Sequence, residues 1–166
     1  MIDTGLPDEV ATMLTARDLP LEITEEFLMA DRDRARNILT RLRSSGVQIS
    51  IDDFGTGYSS LSYLRDLPID ELKLDRSFVF PMADDARAAA LVASTIGLAH
   101  SLGLRMVAEG VETGVVNTEL ARLGCDQAQG YYLSPPIPAA ELDHWLNTRG
   151  ITKGRTGIAE QVPSLD

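Results

Sequence analysis

"ISIDDFGTGYSS", residues 49–60, carries apolar, strand-like residues into two adjacent aspartates and then a glycine-rich turn. Asp52 and Asp53 repel one another unless a cation lies between them or open water surrounds them. The stretch therefore reads as the carboxyl end of a strand at a point where charge is wanted. What flanks it decides the fold. On the amino-terminal side, "DRDRARNILTRLRSSG" from Asp31 puts Ala35, Ile38, Leu39 and Leu42 on one stripe and stops at Gly46, as a helix does. Before it stand the short apolar "LEIT" from Leu21 and a helix-like "LPDEVATMLTAR" with Pro7 near its first turn.

Beyond residue 60 the alternation continues. Helix "SSLSYLRDL", strand "DELKLD", a long helix from Asp84 to Leu102, strand "RMVAEG", helix "NTELARLG", strand "DQAQGYYL" and helix "AAELDHWL" follow in turn. With "LEIT" and "VQISIDD" this makes five strands alternating with helices, the pattern of parallel strands joined by crossover helices. Glu22, the Asp52–Asp53 pair, Lys73, Glu109 and Gln129 each fall at or near the carboxyl end of a different strand. A barrel gathers such ends at one mouth, whereas an open sheet scatters some of them, so a barrel is favoured. A complete barrel takes eight units and about 250 residues, which makes five units an incomplete one.

Composition narrows the chemistry. The 166 residues, 44% hydrophobic and 24% charged, suit a globular domain, and the net charge of −10 excludes a basic grip on a nucleic-acid polymer. A single cysteine, Cys125, leaves no internal disulfide and points to a reducing cytoplasm. "AAALVASTIGLAHSLGL" from Ala88 is too short and too interrupted by polar residues for a membrane span, and Met1 is not followed by a signal peptide. Several carboxylates at one mouth call for hard divalent cations such as Mg²⁺ or Mn²⁺, which prefer oxygen ligands. Two such ions sharing a carboxylate activate water for in-line attack at phosphorus. Lys73 would supply a positive charge, and Gln129 hydrogen bonds, to the phosphate or the water.

Four stretches, "LEITE", "IDDFGTGYSSLSYLRDLPIDELKLDRSFV", "AEGVET" and "QGYYLSPPIP", resemble in order and spacing the EAL domain of bacterial cyclic-di-GMP phosphodiesterases, over Leu6 to Leu146. The resemblance implies a modified (β/α)8 barrel of the TIM type that hydrolyses cyclic-di-GMP to pGpG with two Mg²⁺ or Mn²⁺ ions. By motif, Glu22 matches a ligand of the first metal, Asp52 the carboxylate bridging both, and Asp53 a ligand of the second. Lys73 and Glu109 match residues that hold or activate the attacking water, Glu109 also serving as a metal ligand, and Gln129 matches a glutamine near water and substrate. Glu25 and the "DFGTGYSS" loop match a segment that positions the second metal and lies near the family's dimer contact.

Departures shape the remaining expectations. The Glu-Ala-Leu strand that names the family and a following strand with a metal-binding asparagine have no counterpart, since Asn37, Asn117 and Asn147 lie on predicted helices. "DLPLEIT" brings Pro20 within two residues of Glu22, which predicts a shortened or displaced first strand. The expected organisation is a partial EAL domain over residues 1–149 and a flexible tail over 150–166. The expected activity is a phosphodiesterase impaired in this chain, with an inactive module that binds cyclic-di-GMP or a protein as the alternative. Open first and last strands and an apolar inward surface predict a homodimer, or association with the missing amino-terminal segment. Other readings fall away. "DFG" lacks the accompanying kinase loops, and "GTG" lacks the third glycine of a dinucleotide loop, where Ser60 stands. His100 and His144 sit on helices, while Tyr58, Tyr63, Phe78, Tyr131 and Tyr132 are expected to pack in core or loops.

Overall fold

The computed structural model describes residues 20–57 and 61–149. Five strands, β1 (Leu21–Thr24), β2 (Ile49–Phe54), β3 (Glu71–Leu74), β4 (Arg105–Ala108) and β5 (Gln127–Ala128), pair in parallel and in sequence order. Between and after them lie α1 (Glu25–Ala30), α2 (Arg32–Ser44), α3 (Leu61–Arg65), α4 (Arg76–Val79), a 3-10 turn (Phe80–Ala83), α5 (Ala86–Ser101), α6 (Gly114–Arg122) and α7 (Ala139–Thr148). An order without reversal has no switch point of the doubly wound kind, and it is the order of neighbouring staves in a barrel wall. The described residues form an α/β arc of that wall, five strands wide.

Local sequence explains the element ends. Asp31, Asp85 and Thr113 cap α2, α5 and α6 by accepting from the backbone N–H of Arg34, Arg87 and Val116. The same three helices stop just before Gly46, Gly103 and Gly124, whose φ values of 85°, 74° and 79° are the left-handed turn that glycine makes without strain. Each glycine then delivers the chain to the next strand. Pro20 does not displace β1: Leu21 N–H donates to the Gln48 carbonyl at 2.8 Å, and the strand pairs in register with β2.

Alternation along the strands separates two chemistries. Ile49, Ile51, Leu72, Leu74, Met106 and Ala108 form one face, buried under Leu39, Leu42, Leu64, Val92, Ile96, Val116 and Leu120 of the helices. Burying each large side chain of this kind contributes about 1.5–3 kcal/mol. On the other face stand Glu22, Ser50, Asp52, Glu71, Lys73 and Arg105, linked by ion pairs and a hydrogen bond across the strands. The inward surface is thus mostly polar, with Val107 opposite Lys73 as its buried apolar member, where an apolar surface was expected from sequence; the other apolar residues of β2, β3 and β4 face the helices. Among the described residues β1 and β5 form the two edges of the sheet. β5 is far shorter than "DQAQGYYL", because the chain turns at Gly130, where Leu133 N–H and Ser134 N–H both donate to its carbonyl.

The predicted helix over residues 6–17, Tyr58 to Ser60 of the loop, and the tail from Gly150 lie outside the described residues. Within them no helix is long and apolar enough to cross a membrane.

Candidate active site at the carboxyl ends of the strands

Lys73 is the centre of the polar face. It lies on the middle strand, β3, and its side chain is only 7% exposed. Its Nζ donates to Glu109 Oε1 at 2.7 Å, Asp52 Oδ1 at 3.0 Å and Glu22 Oε1 at 3.1 Å. Burial alone would depress the ammonium's pKa; hydrogen bonds to Glu109, Asp52 and Glu22 outweigh it and hold the group above the usual lysine value. Three strands other than its own thereby send one carboxylate each to the same nitrogen.

Backbone ladders set those positions. Glu109 lies one residue past β4, and its N–H donates to the Leu74 carbonyl at 3.1 Å. Gln129 lies one residue past β5, with its N–H on the Ala108 carbonyl at 2.8 Å and its carbonyl receiving Val111 N–H at 3.0 Å. Glu22 is not at a strand end: it is the second of four residues in β1, opposite Ser50, and reaches Lys73 by the length of its side chain.

The question raised by Asp52 and Asp53 has a backbone answer. Ile51 pairs with Leu72 and Phe54 with Leu74, so β2 carries one residue more than β3 over this interval. Asp53 sits in that bulge with φ 55°, a left-handed conformation that aspartate tolerates better than most side chains. The chain's alternation is broken there, and Asp52, Asp53 and Glu109 each bring a carboxylate oxygen to within 4.8 Å of the others. Hard oxygen donors gathered in this way fit a divalent cation of the magnesium, calcium or manganese type. The sequence shows the glycine that follows the bulge, Gly55, but not the bulge itself.

Glu25 opens α1 directly after β1 and is 5% exposed. Among the described residues neither of its carboxylate oxygens has a hydrogen-bond partner. A Cβ on Gly57 would stand 2.8 Å from Glu25 Oε1, so this carboxylate lies directly beneath the loop that leaves β2. The structure thus brings Glu22, Asp52, Lys73 and Glu109 into contact, sets Asp53 beside them, and places Glu25 under the loop. Gln129 stands exposed at the rim, and among the described residues its side chain makes no hydrogen bond to the cluster.

The histidine at position 100 lies at the opposite end of the sheet, its Nε2 2.9 Å from Asp126 Oδ2, and plays no part here. Phe78 packs against Gly55, and Tyr63 donates to the Leu28 and Arg32 carbonyls, as packing residues should. Tyr132 sets its hydroxyl and ring edge against Gly114, a loop contact of the expected kind, and stays 41% exposed. Tyr131 departs from the expectation: it is 70% exposed, where the chain turns away from the sheet at Gly130.

Comparison with known proteins places this geometry in context. The EAL domain pattern matches residues 4–136. The bifunctional diguanylate cyclase/cyclic di-GMP phosphodiesterase MucR of Pseudomonas aeruginosa is 48% identical over 143 residues, covering 83% of this chain and 21% of MucR. The chain spans about a fifth of such relatives, as the 17% covered of the cyclic di-GMP phosphodiesterase NbdA from the same organism also shows. Among solved structures, the MucR phosphodiesterase in complex with c-di-GMP superposes with a TM-score of 0.76 at 47% identity, over 84% of this chain and 58% of that one. Matched over most of its length by pattern, sequence and fold, the chain belongs to the EAL domain family.

Proposed function

We propose that this chain carries the metal-dependent phosphodiesterase site of a cyclic-di-GMP-hydrolysing protein. The observation that carries the reading is the convergence of Glu22, Asp52 and Glu109 on Lys73, with Asp53 re-aimed beside them by the bulge. MucR and NbdA, named for this activity, support it. So does the solved structure of Klebsiella pneumoniae BlrP1 with manganese and the dinucleotide, which superposes with a TM-score of 0.72 at 33% identity over 81% of this chain and 36% of that one.

In this reading Glu22, Asp52, Asp53 and Glu109 are the residues that would hold divalent cations, Mg²⁺ or Mn²⁺. Bound there, the cations would neutralise phosphate charge and make a water acidic enough to attack phosphorus at neutral pH. The protein's own part is acid–base and positional. The carboxylate of Glu109 accepts the proton of the attacking water, and the Lys73 ammonium, held charged by its three partners, donates to that water or to a phosphate oxygen. Gln129, fixed through its backbone, orients the same groups through its amide. Glu25 steadies the loop above it and with it the second cation's surroundings. We place the activity in the cytoplasm, in a homodimer or with a further segment along the open β1 edge.

A second reading, binding without turnover, is favoured by the donor count. Among the described residues the candidate carboxylates come from β1, β2 and the end of β4, and the asparagines, Asn37, Asn117 and Asn147, all lie on helices α2, α6 and α7. Incubating the chain with cyclic-di-GMP and Mn²⁺ and separating the products by chromatography tests both. Formation of pGpG that stops in EDTA and in Asp52→Asn supports hydrolysis, at a rate we expect to be far below that of a whole domain. Metal-dependent binding without pGpG supports the second reading, and the absence of both binding and product would end the proposal.

A further inference from the structure

Two of the candidate ligands are claimed twice. Asp52 and Glu109 belong with Asp53 to the cluster whose carboxylate oxygens lie within 4.8 Å of one another. The same two accept from Lys73 Nζ, through Asp52 Oδ1 at 3.0 Å and Glu109 Oε1 at 2.7 Å, and Glu22 Oε1 is the third acceptor at 3.1 Å. An ammonium has three protons, so all three are committed. Lys73 is also an unusual choice. The chain has 15 lysines and arginines, and only Lys73 and Lys153 are lysines. Arginine's planar fork would grip one carboxylate by two bonds, whereas a lysine is a compact charge on a flexible stem that changes partners without moving the backbone. A divalent cation drawn to Asp52, Asp53 and Glu109 therefore meets a positive charge already holding two of them. Like charges a few ångströms apart at a partly buried site oppose one another strongly.

Resting on the metal-dependent reading above, we propose that Lys73 is a built-in counter-ion that regulates cation binding: its ammonium keeps Glu22, Asp52 and Glu109 assembled in the metal-free protein and competes with an arriving divalent cation for Asp52 and Glu109. The arrangement exchanges affinity for preorganisation. It also serves the chemistry, because an ammonium that gives up one carboxylate has a proton free for the water or a phosphate oxygen. The sign of one effect separates this from a merely structural lysine. Replacing a residue that only builds the site weakens metal binding, and replacing a competitor strengthens it.

Thermal unfolding of the full chain in EDTA and over a series of Mn²⁺ concentrations tests this in wild type, Lys73→Gln, Lys73→Arg and Arg43→Gln. Glutamine keeps hydrogen-bond donors and removes the charge, arginine keeps the charge, and Arg43→Gln removes a cation from the ion pair with Asp70 at the other end of the sheet. The expected result is that Lys73→Gln is less stable than wild type in EDTA yet binds Mn²⁺ at least about tenfold more tightly, read from its larger stabilisation by the ion. Lys73→Arg should bind Mn²⁺ no more tightly than wild type, and Arg43→Gln should match wild type in Mn²⁺ affinity. Equal or weaker Mn²⁺ binding in Lys73→Gln would overturn the competition and leave the metal-dependent reading standing. A Lys73→Gln chain that stays unfolded at every Mn²⁺ concentration would overturn it too, since the ion must be able to take a competitor's place. Tightening of the same size in Arg43→Gln would reduce the effect to net charge and overturn it as well. If neither wild type nor Lys73→Gln binds Mn²⁺, the metal-dependent reading falls with it.

Discussion

At the amino ends of the strands each carboxylate has partners of its own. Glu71 accepts from the Ser50 hydroxyl and pairs with Arg105, Asp70 accepts from Ile49 N–H and pairs with Arg43, and Asp126 accepts from Met106 N–H beside His100. At the carboxyl ends Glu22, Asp52 and Glu109 share Lys73, and among the described residues Asp53 has no cation at all. The same residue types serve opposite purposes. Paired charges at the amino end fix strand register. The carboxyl end holds four carboxylates against one ammonium, an excess of negative charge that gives up stability in exchange for affinity toward cations.

The largest effect expected at the amino end is that of Glu71→Ala. Its side chain is 9% exposed, and removing it strands the buried Ser50 hydroxyl and takes from the part-exposed Arg105 its ion-pair partner. A loss of about 2–3 kcal/mol in urea unfolding is expected, with Mn²⁺ affinity unchanged. A matching fall in Mn²⁺ affinity would show that the two ends are not separable.

Asp53→Asn inverts the pattern. Asparagine keeps the left-handed bulge and removes one charge, so Mn²⁺ binding should weaken about ten- to hundredfold while stability in EDTA stays level or rises. Destabilisation in EDTA would mean that this carboxylate serves the fold.

Acid unfolding should separate the ends further. Burial by itself raises the Asp126 pKa, but the hydrogen bonds from Met106 N–H and His100 outweigh it and hold the carboxyl below its usual range. A depressed folded-state pKa stabilises above the unfolded value, about 3.9, and that contribution is lost as pH falls through the folded one. Asp126→Asn should therefore cost about 1 kcal/mol at neutral pH, a figure kept small by its partly exposed side chain, with the gap closing below pH of about 4. A gap that persists in strong acid would remove the ionic explanation.

The smallest effect concerns Cys125, whose burial pushes its thiol up to about 11. Alkylation near pH 8 should be slow until the chain unfolds, and prompt labelling of the folded protein would show that the region between α6 and β5 opens readily.

Much of this was legible in the sequence, and the rest was hidden for physical reasons. Period-two alternation in "VQISIDD" and the three-to-four spacing of Ala35, Leu39 and Leu42 announced strand and helix correctly, because one buried face dictates both patterns. α1 and α4 escaped, being only 6 and 4 residues long, too short for periodicity to speak. Their starts were nonetheless marked, by Glu25 and Glu26 in the first turn of α1 and by Asp75 at the cap of α4. The convergence on Lys73 was readable in part, since Asp52 and Glu109 stand near strand ends, whereas Glu22 reaches it from the second position of β1. The bulge was not, since a register shift belongs to two strands at once and leaves no periodic trace in either.

That bulge has a consequence for anyone redesigning the mouth. Position 53 sets backbone shape and charge together, so a library that randomises it samples both at once: most replacements would pull the local chain back toward a regular pleat and carry Asp52 with it. Asparagine and glycine are the substitutions that erase the charge and keep the curve. A campaign that sorts variants by activity alone would mistake a bent chain for a missing ligand, and these two are the probes that tell them apart.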